Sequence, residues 1–261
     1  MASMVPSNRP PAQSPRYRLP TSTLLRLLSA TAFPRPHSVG DIAAGALRGT
    51  PRPPLILGAE HVPAQGPCLV TVNHYTRPGF GAWWTAIGVT AVVADRRAEG
   101  VPADIHWVMT AAWRYPKDDW RGTIVTPLTR WAFARAARAY GAIPMPPMPP
   151  RPDEVEERAA AVLRTVRLSR NLAVEGGLLG LAPEGRDTPG LVGDPPPRAG
   201  DFVALLIKEG FPILPVGVAE EDNRMRISFG PCFVPEIPRR RSERDRVVAD
   251  QVMQAIAAQL P

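Results

Sequence analysis

The sequence has few of the residues that build disulfide frameworks or metal centres. It contains 2 cysteines, Cys68 and Cys232, and 4 histidines. Two distant cysteines provide no disulfide framework, and no histidine has a second ligand at the spacing of a metal site. The sequence therefore predicts a protein without a metal site, in a reducing, intracellular compartment.

Long apolar runs are also missing. The longest is Phe80 to Ala94, fifteen residues, whereas a helix needs about 20 to cross a bilayer. We expect this run to form a buried core helix. Acidic residues are absent from residues 1–40, which hold five arginines and seven prolines. This composition predicts a disordered segment or N-terminal arm over 1–40, disordered up to about Leu19, followed by one domain over 41–261.

Lysine is scarce, although the net charge is +7. Lys117 and Lys208 are the only lysines among 31 basic residues, so the other 29 are arginines. Arginine matches the geometry of phosphate groups, which predicts affinity for phosphates or for an anionic membrane surface. The alternative is that the proteome from which the chain comes is rich in arginine, because the arginines are scattered along the chain. No recognition motif for nucleic acid is present, and we expect no nucleic-acid partner.

Apolar runs alternate with helical patterns along most of the chain. The strand-like runs include 68–72, 105–110, 177–182 and 213–218. Helical spacing of apolar residues separates them, for example from Val155 to Val166. This order predicts an α/β fold with a mainly parallel or mixed sheet covered by helices.

Polar residues directly follow two of the predicted strands. The first strand continues into Asn73, His74 and Arg77, and the second into Pro183-Glu184-Gly185-Arg186. In an open α/β sheet, ligands bind beyond the carboxyl ends of the strands. If the two strands are parallel, His74 and the Glu-Gly-Arg turn share one edge. A histidine there can accept a proton, and an arginine can hold a phosphate.

These motifs resemble the sequence blocks of the glycerol-phosphate and lysophosphatidate acyltransferase superfamily. Asn73-His74, Pro183-Glu184-Gly185-Arg186 and Ile213-Leu214-Pro215-Val216 are similar to three of its four blocks, in the same order. Gly141-Ala142-Ile143-Pro144 is similar to the remaining block. The resemblance covers about residues 55–235, and the Pro-Glu-Gly-Arg block is its most specific part.

The resemblance implies an O-acyltransferase. His74 would act as general base on the hydroxyl of a lysophospholipid or glycerol-phosphate-like acceptor, which would attack the thioester of acyl-CoA or acyl-carrier protein. Glu184, Gly185, Arg186 and Arg77 would bind the acceptor. No cofactor is implied beyond the thioester donor. The protein would lie in the cytoplasm, peripherally on the inner face of a membrane.

The sequence departs from the family pattern at two positions. The aspartate expected at the end of the first block is replaced by Gly79, and the second block lacks its arginine. Three possibilities remain open: another acid such as Asp187 or Asp95 orients His74, a backbone carbonyl does so, or the protein is a non-catalytic relative that binds acyl chains or phospholipids. A Gly-x-Ser-x-Gly elbow, typical of hydrolases, is absent.

Tryptophans are concentrated between residues 80 and 131. The segment from Trp113 to Trp120 is interleaved with charged residues and predicts an exposed loop. Because tryptophan is enriched at membrane interfaces, this loop is a candidate for membrane contact. The leucines between Ser22 and Leu28 predict a short helix that packs either on the domain or on a membrane surface.

Overall fold

The computed structural model describes residues 17–33, 37–186 and 191–261. In these residues the helices are α1 (Thr21–Ala32), α2 (Val39–Leu47), α3 (Trp83–Arg96), α4 (Trp120–Tyr140), α5 (Val155–Val174), α6 (Ala199–Lys208) and α7 (Arg241–Ala257), with short 3-10 helices at Ala59–His61 and Pro152–Glu154. The strands are β1 (Leu55–Leu57), β2 (Cys68–Val72), β3 (Ile105–Thr110), β4 (Ile143–Met145), β5 (Leu178–Leu181), β6 (Ile213–Glu221) and β7 (Arg224–Phe229).

The strands form one mixed sheet, in the order β1-β7-β6-β2-β5-β3-β4. Strands β6, β2, β5, β3 and β4 are parallel. Strand β7 is antiparallel to β6, and β1 pairs in parallel with β7. The predicted fold class, a mainly parallel or mixed sheet in an α/β domain, is confirmed.

Helices cover both faces of the sheet. On one face, Trp84, Val89 and Val93 of α3 pack with the side chains of Val70 and Val72 in β2. On the other face, apolar residues of α5, α6 and α7 pack against Leu69, Leu179 and Ile213. Alternate residues of β2 therefore enter opposite cores, as the two-residue period of a strand requires. This double burial explains why four of the five residues of β2 are apolar, with Thr71 the exception.

The N-terminal residues that the structure describes pack on the domain. Tyr17 is buried, with its ring centroid 4.8 Å from that of Phe80 and 5.5 Å from that of Trp84. Helix α1 packs against α4, and α2 against α3. Residues 1–16, on which most of the predicted disorder falls, lie outside the described part of the chain. The boundary at residue 40 stays a prediction.

Helix α4 begins earlier than the sequence indicates. The pattern predicts a helix from Thr129 to Tyr140, whereas the observed helix starts at Trp120 and contains Pro127. Its N-cap residue is Asp119, whose carboxylate accepts the Arg121 N–H at 3.0 Å. Of the helices described, none combines the length and apolar character needed to cross a bilayer.

Candidate functional site

The two polar segments predicted as the site leave the sheet at the same edge. Strands β2 and β5 are parallel neighbours, with Thr71 opposite Leu181. His74 and Glu184 therefore follow adjacent strand ends. The His74 backbone N–H donates a hydrogen bond to Glu184 Oε2. The structure thus brings together two loops that are 110 residues apart in the chain.

Glu184 is a buried carboxylate, with 0% of the residue exposed. Its second oxygen, Oε1, accepts the backbone N–H of Gly193 at 2.6 Å. Because a carboxylate is costly to bury unless hydrogen bonds compensate it, these two backbone donors stabilise its position. The side chain joins the end of β2, the turn after β5 and the segment near Gly193. This arrangement suits a residue that positions His74.

Asn73 fixes the carboxyl end of β2 on the side of β6. Its Nδ2 donates to the carbonyls of Leu191 at 2.7 Å and Val218 at 2.8 Å, and its Oδ1 accepts the Val218 N–H at 2.7 Å. The residue is fully buried. Both N–H groups and the oxygen of the amide are satisfied, so Asn73 holds the β2 end against β6.

The Glu-Gly-Arg turn presents its last two residues to solvent. Gly185 and Arg186 are exposed. Gly185 has a φ of 62°, in the left-handed region that side chains with a Cβ rarely adopt. A Cβ placed there would lie 3.9 Å from Met148 Cγ, so the segment after β4 lies beside this turn.

The His74 side chain is half-buried, and its Nδ1 atom is shielded from solvent. Asp187, one candidate acid for orienting it, lies outside the described residues. Asp95 is excluded. It is exposed near the end of α3, two residues before Arg97, whose guanidinium donates to the carbonyls of Gly66 and Gly176. Those carbonyls precede β2 and β5, so Asp95 lies at the opposite edge of the sheet.

Arg77, predicted to bind the acceptor, forms an ion pair with Glu220 at the end of β6. Its Nε and one terminal nitrogen bond the two carboxylate oxygens, and its other terminal nitrogen donates to the Pro78 carbonyl at 2.6 Å. The hydrogen bond to Glu220 raises the pKa of Arg77. Burial, then the charge of Glu220, raises the pKa of Tyr75, whose hydroxyl donates to Glu220 at 3.1 Å.

Gly79, at the position where the family that the sequence resembles has an aspartate, belongs to a tight turn. Arg77 and Phe80 exchange two backbone hydrogen bonds, of 3.0 and 2.9 Å, around Pro78 and Gly79. Gly79 has a φ of 86°. A proline followed by a residue of positive φ is the pattern of a type II turn, in which glycine is favoured. The local backbone therefore accounts for the glycine.

Two positions that shape this edge were not assigned a role from the sequence. Asn73 was noted only as part of a motif, although an amide at the end of an apolar strand is a signal for a buried hydrogen-bonding group. Glu220 lies at the carboxyl end of β6, a strand parallel to β2, and could have been found by applying the carboxyl-edge rule to that strand. The functional roles predicted for His74, Arg77, Glu184, Gly185 and Arg186 stay predictions.

Within the described ranges, no group of three or more histidine, cysteine or acidic residues is arranged to hold a metal ion. Cys68 is buried, Cys232 is exposed, and both are free thiols.

No protein-family model and no curated protein matches the chain. Among solved structures, the chain is similar to the 1-acyl-sn-glycerophosphate (LPA) acyltransferase PlsC from Thermotoga maritima. The TM-score is 0.48 and the identity 13%, over 91% of this chain and 87% of that one. At these values the likeness assigns no activity to this chain.

Proposed function

We propose that the protein is an O-acyltransferase that uses His74 as general base. The single observation that carries the proposal is the contact at the carboxyl edge, where the backbone of His74 bonds the buried carboxylate of the Glu-Gly-Arg turn. It joins the two motifs that resemble the acyltransferase family. The half-buried imidazole and the exposed Arg186 then belong to one edge of the sheet.

In the proposed reaction, His74 Nε2 removes the proton from an acceptor hydroxyl. The oxygen forms a bond to the thioester carbonyl carbon, and the carbon–sulfur bond breaks. The imidazolium returns its proton to the leaving thiolate, so the products are an ester and a free thiol. General-base catalysis of this kind contributes about 10²- to 10⁴-fold in rate. The donor is acyl-CoA or acyl-carrier protein, and no further cofactor takes part.

Arg186 is proposed to hold the phosphate of a lysophospholipid or glycerol-phosphate-like acceptor. Its guanidinium is exposed beside the turn, and Gly185 keeps the turn free of a side chain. Glu184 is proposed to act through His74, because two backbone N–H groups bond its carboxylate. The ion pair of Arg77 and Glu220 lies on the β6 side of the loop that carries His74, whereas Glu184 lies on the β5 side.

The alternative is a non-catalytic protein that binds acyl chains or phospholipids on the same fold. The observation that favours it is the turn at Gly79, which leaves no carboxylate at the position where the family has its aspartate.

An acyl-transfer assay of the wild-type protein distinguishes the transferase from the non-catalytic alternative. The variant Arg186→Gln tests the proposed phosphate contact. We expect the wild-type protein to release thiol from acyl-CoA or acyl-carrier protein when a lysophosphatidate is present. Arg186→Gln should raise the KM for the phosphorylated acceptor roughly tenfold or more, because a hydrogen bond to a charged group is lost. Reaction with a monoacylglycerol, which has no phosphate, should change little.

Arg164→Gln, an exposed arginine of α5, is the matched control and should behave as wild type. Absence of thiol release by the wild-type protein across a broad panel of acceptors, with lipid binding retained, would favour the non-catalytic alternative.

The membrane contact is proposed to involve helices α1 and α4, which pack together. Three apolar side chains of α4 are exposed along one face of the helix: Trp120, Ile124 and Leu128. Leu24, Leu25 and Leu28 of α1 are also exposed. Neither helix contains an acidic residue. Apolar and basic surfaces together favour an anionic lipid surface, which fits a peripheral location on the inner face of a membrane.

Vesicle sedimentation tests this contact. The wild-type protein should bind vesicles that contain anionic phospholipid more strongly than neutral vesicles, and added salt should weaken the binding. Leu128→Glu should reduce binding several-fold, because it places a negative charge on the apolar face. Leu163→Glu on α5 is the matched control, since these leucines are 57% and 58% exposed. Equal loss in both variants would contradict the proposed surface.

A further inference from the structure

A second concave site lies at the same edge of the sheet as His74. It is a cavity of about 450 Å³ between the segment after β3, the start of α4 and the segment after β4. Its lining includes Tyr115, Lys117, Arg130, Trp131 and Arg151. Because β3 and β4 are parallel to β2 and β5, the loops that follow all four strands emerge at one edge. The cavity therefore shares the carboxyl edge with the candidate active site.

Positive charge and aromatic rings are combined in this cavity. Lys117, Arg130 and Arg151 supply three cations, and Tyr115 and Trp131 supply two rings. The only carboxylate that pairs with one of these cations within the described chain is Asp153, 3.9 Å from Lys117 Nζ and well exposed. Arg151 also donates to the Tyr115 carbonyl at 3.4 Å, which ties the two loops together.

This combination fits one class of ligand. Arginine and lysine bind phosphate groups, and aromatic faces stack with nucleobases. A volume of 450 Å³ falls in the range of about 300–1,000 Å³ that is usual for small-molecule sites. A phosphate-bearing nucleotide satisfies both the charge and the rings. Each ring carries one guanidinium, with Arg121 5.8 Å from the centroid of Tyr115 and Arg135 5.2 Å from that of Trp131. A lipid phosphate would use the cations and make no contact with the rings, whereas a nucleotide would use both.

The segment after β4 connects the cavity to the candidate active site. Met148 approaches Gly185 of the Glu-Gly-Arg turn. Arg114 donates to the Pro149 carbonyl and to Glu154, both at 2.5 Å, and so holds this segment near the loop after β3. Three strand spacings separate β2 from β4, or roughly 14 Å. An extended pantetheine arm can cover such a distance.

We infer that this cavity binds the nucleotide end of an acyl-CoA donor. The adenine lies against Trp131 or Tyr115, and the phosphates bond Arg130, Arg151 and Lys117. The pantetheine arm follows the segment near Met148 and delivers the thioester to His74. This inference rests on the proposed acyl transfer and adds the donor site, with coenzyme A as the donor instead of an acyl-carrier protein.

Binding of adenosine 3′,5′-bisphosphate, measured by calorimetry, tests the site without any reaction. We expect the wild-type protein to bind it and Arg130→Gln to weaken binding roughly tenfold, the effect of one lost charged hydrogen bond. Trp131→Ala should weaken it to a similar degree through lost stacking. Both side chains are exposed, so neither substitution removes core packing.

Arg138→Gln is the matched control, since it removes the same charge from an exposed position of α4 outside the cavity. Absence of binding by the wild-type protein, or equal weakening by Arg138→Gln, overturns the inference. So does a loss in Arg130→Gln that appears only with anionic phospholipid vesicles, because the cavity would then take a lipid phosphate.

A kinetic comparison separates this inference from the proposed function. If Arg130→Gln raises the KM for acyl-CoA without changing kcat, the nucleotide site and the transferase function are both supported. If the wild-type protein binds the bisphosphate and transfers no acyl group, the nucleotide site stands and the transferase fails. If acyl transfer proceeds with an unchanged donor KM in Arg130→Gln, or only acyl-carrier protein serves as donor, the transferase stands and the nucleotide site fails.

Discussion

Replacing His74 by alanine is expected to lower kcat/KM for acyl transfer by about 10²- to 10⁴-fold. The imidazole is the proposed acceptor of the hydroxyl proton, and alanine offers no substitute base. Because His74 is half-buried and the Glu184 contact uses its backbone N–H, the variant should retain that contact and fold. Thiol release from acyl-CoA, followed with saturating acceptor, measures the effect.

A matched control is His37→Ala. His37 is exposed, and its ring lies 6.1 Å from that of Tyr140 at the end of α4. Its removal should leave the rate unchanged. If His74→Ala keeps most of the wild-type rate, His74 is not the general base. Circular dichroism of both variants would show whether a lost rate reflects lost structure.

Replacing Glu184 by glutamine is expected to reduce both stability and kcat. The carboxylate accepts two backbone N–H groups, whereas an amide offers one oxygen and would point its NH₂ group at the other donor. A buried donor without an acceptor costs about 1–3 kcal/mol of unfolding free energy. A shift of His74 on the order of 1 Å would lower kcat by roughly 10²-fold.

The kinetic pattern distinguishes positioning from substrate binding. If Glu184 acts through His74, Glu184→Gln should lower kcat and leave the KM for the acceptor nearly unchanged, at a temperature where the variant is folded. A raised KM with unchanged kcat would indicate direct contact with the acceptor and would contradict the positioning role. Glu175→Gln, at an exposed position after α5, controls for the loss of one negative charge. Urea denaturation provides the stability measurement.

The elements with clear local patterns were predicted well. Strands β2 and β3 occupy the predicted residues, 68–72 and 105–110. The pattern near the C-terminus predicts a helical stripe of Val248, Val252, Ile256 and Leu260. The first three are fully buried in α7, whereas Leu260 follows the helix and is half-buried. Such patterns are local, because burial repeats every two residues in a strand and about every 3.6 in a helix.

Helix ends were harder to predict, because hydrogen bonds decide them. The spacing of Asp153 and Glu156 predicts a cap at Asp153. In the structure Glu154 accepts the Arg151 N–H at 2.9 Å, and a 3-10 turn precedes α5. Ser242 has the residue type that favours a cap for the last helix, but α7 begins at Arg241. The observed N-cap residues, Glu154 in α5 and Arg240 in α7, make no side-chain capping bond, so capping propensity alone does not locate these ends.

The sequence alone determined the α/β class and the two polar segments after apolar strands. Tertiary structure decided which of their groups meet: β5 lies next to β2, so Glu184 reaches the His74 backbone, and β6 lies on the other side, so Asn73 bonds Val218. It also placed Arg77 against Glu220 and formed a cavity from the loops after β3 and β4. The physical reason is the separation along the chain of the residues that interact. Apolar periodicity depends on neighbouring residues, whereas contacts between residues more than a hundred positions apart depend on strand order and register.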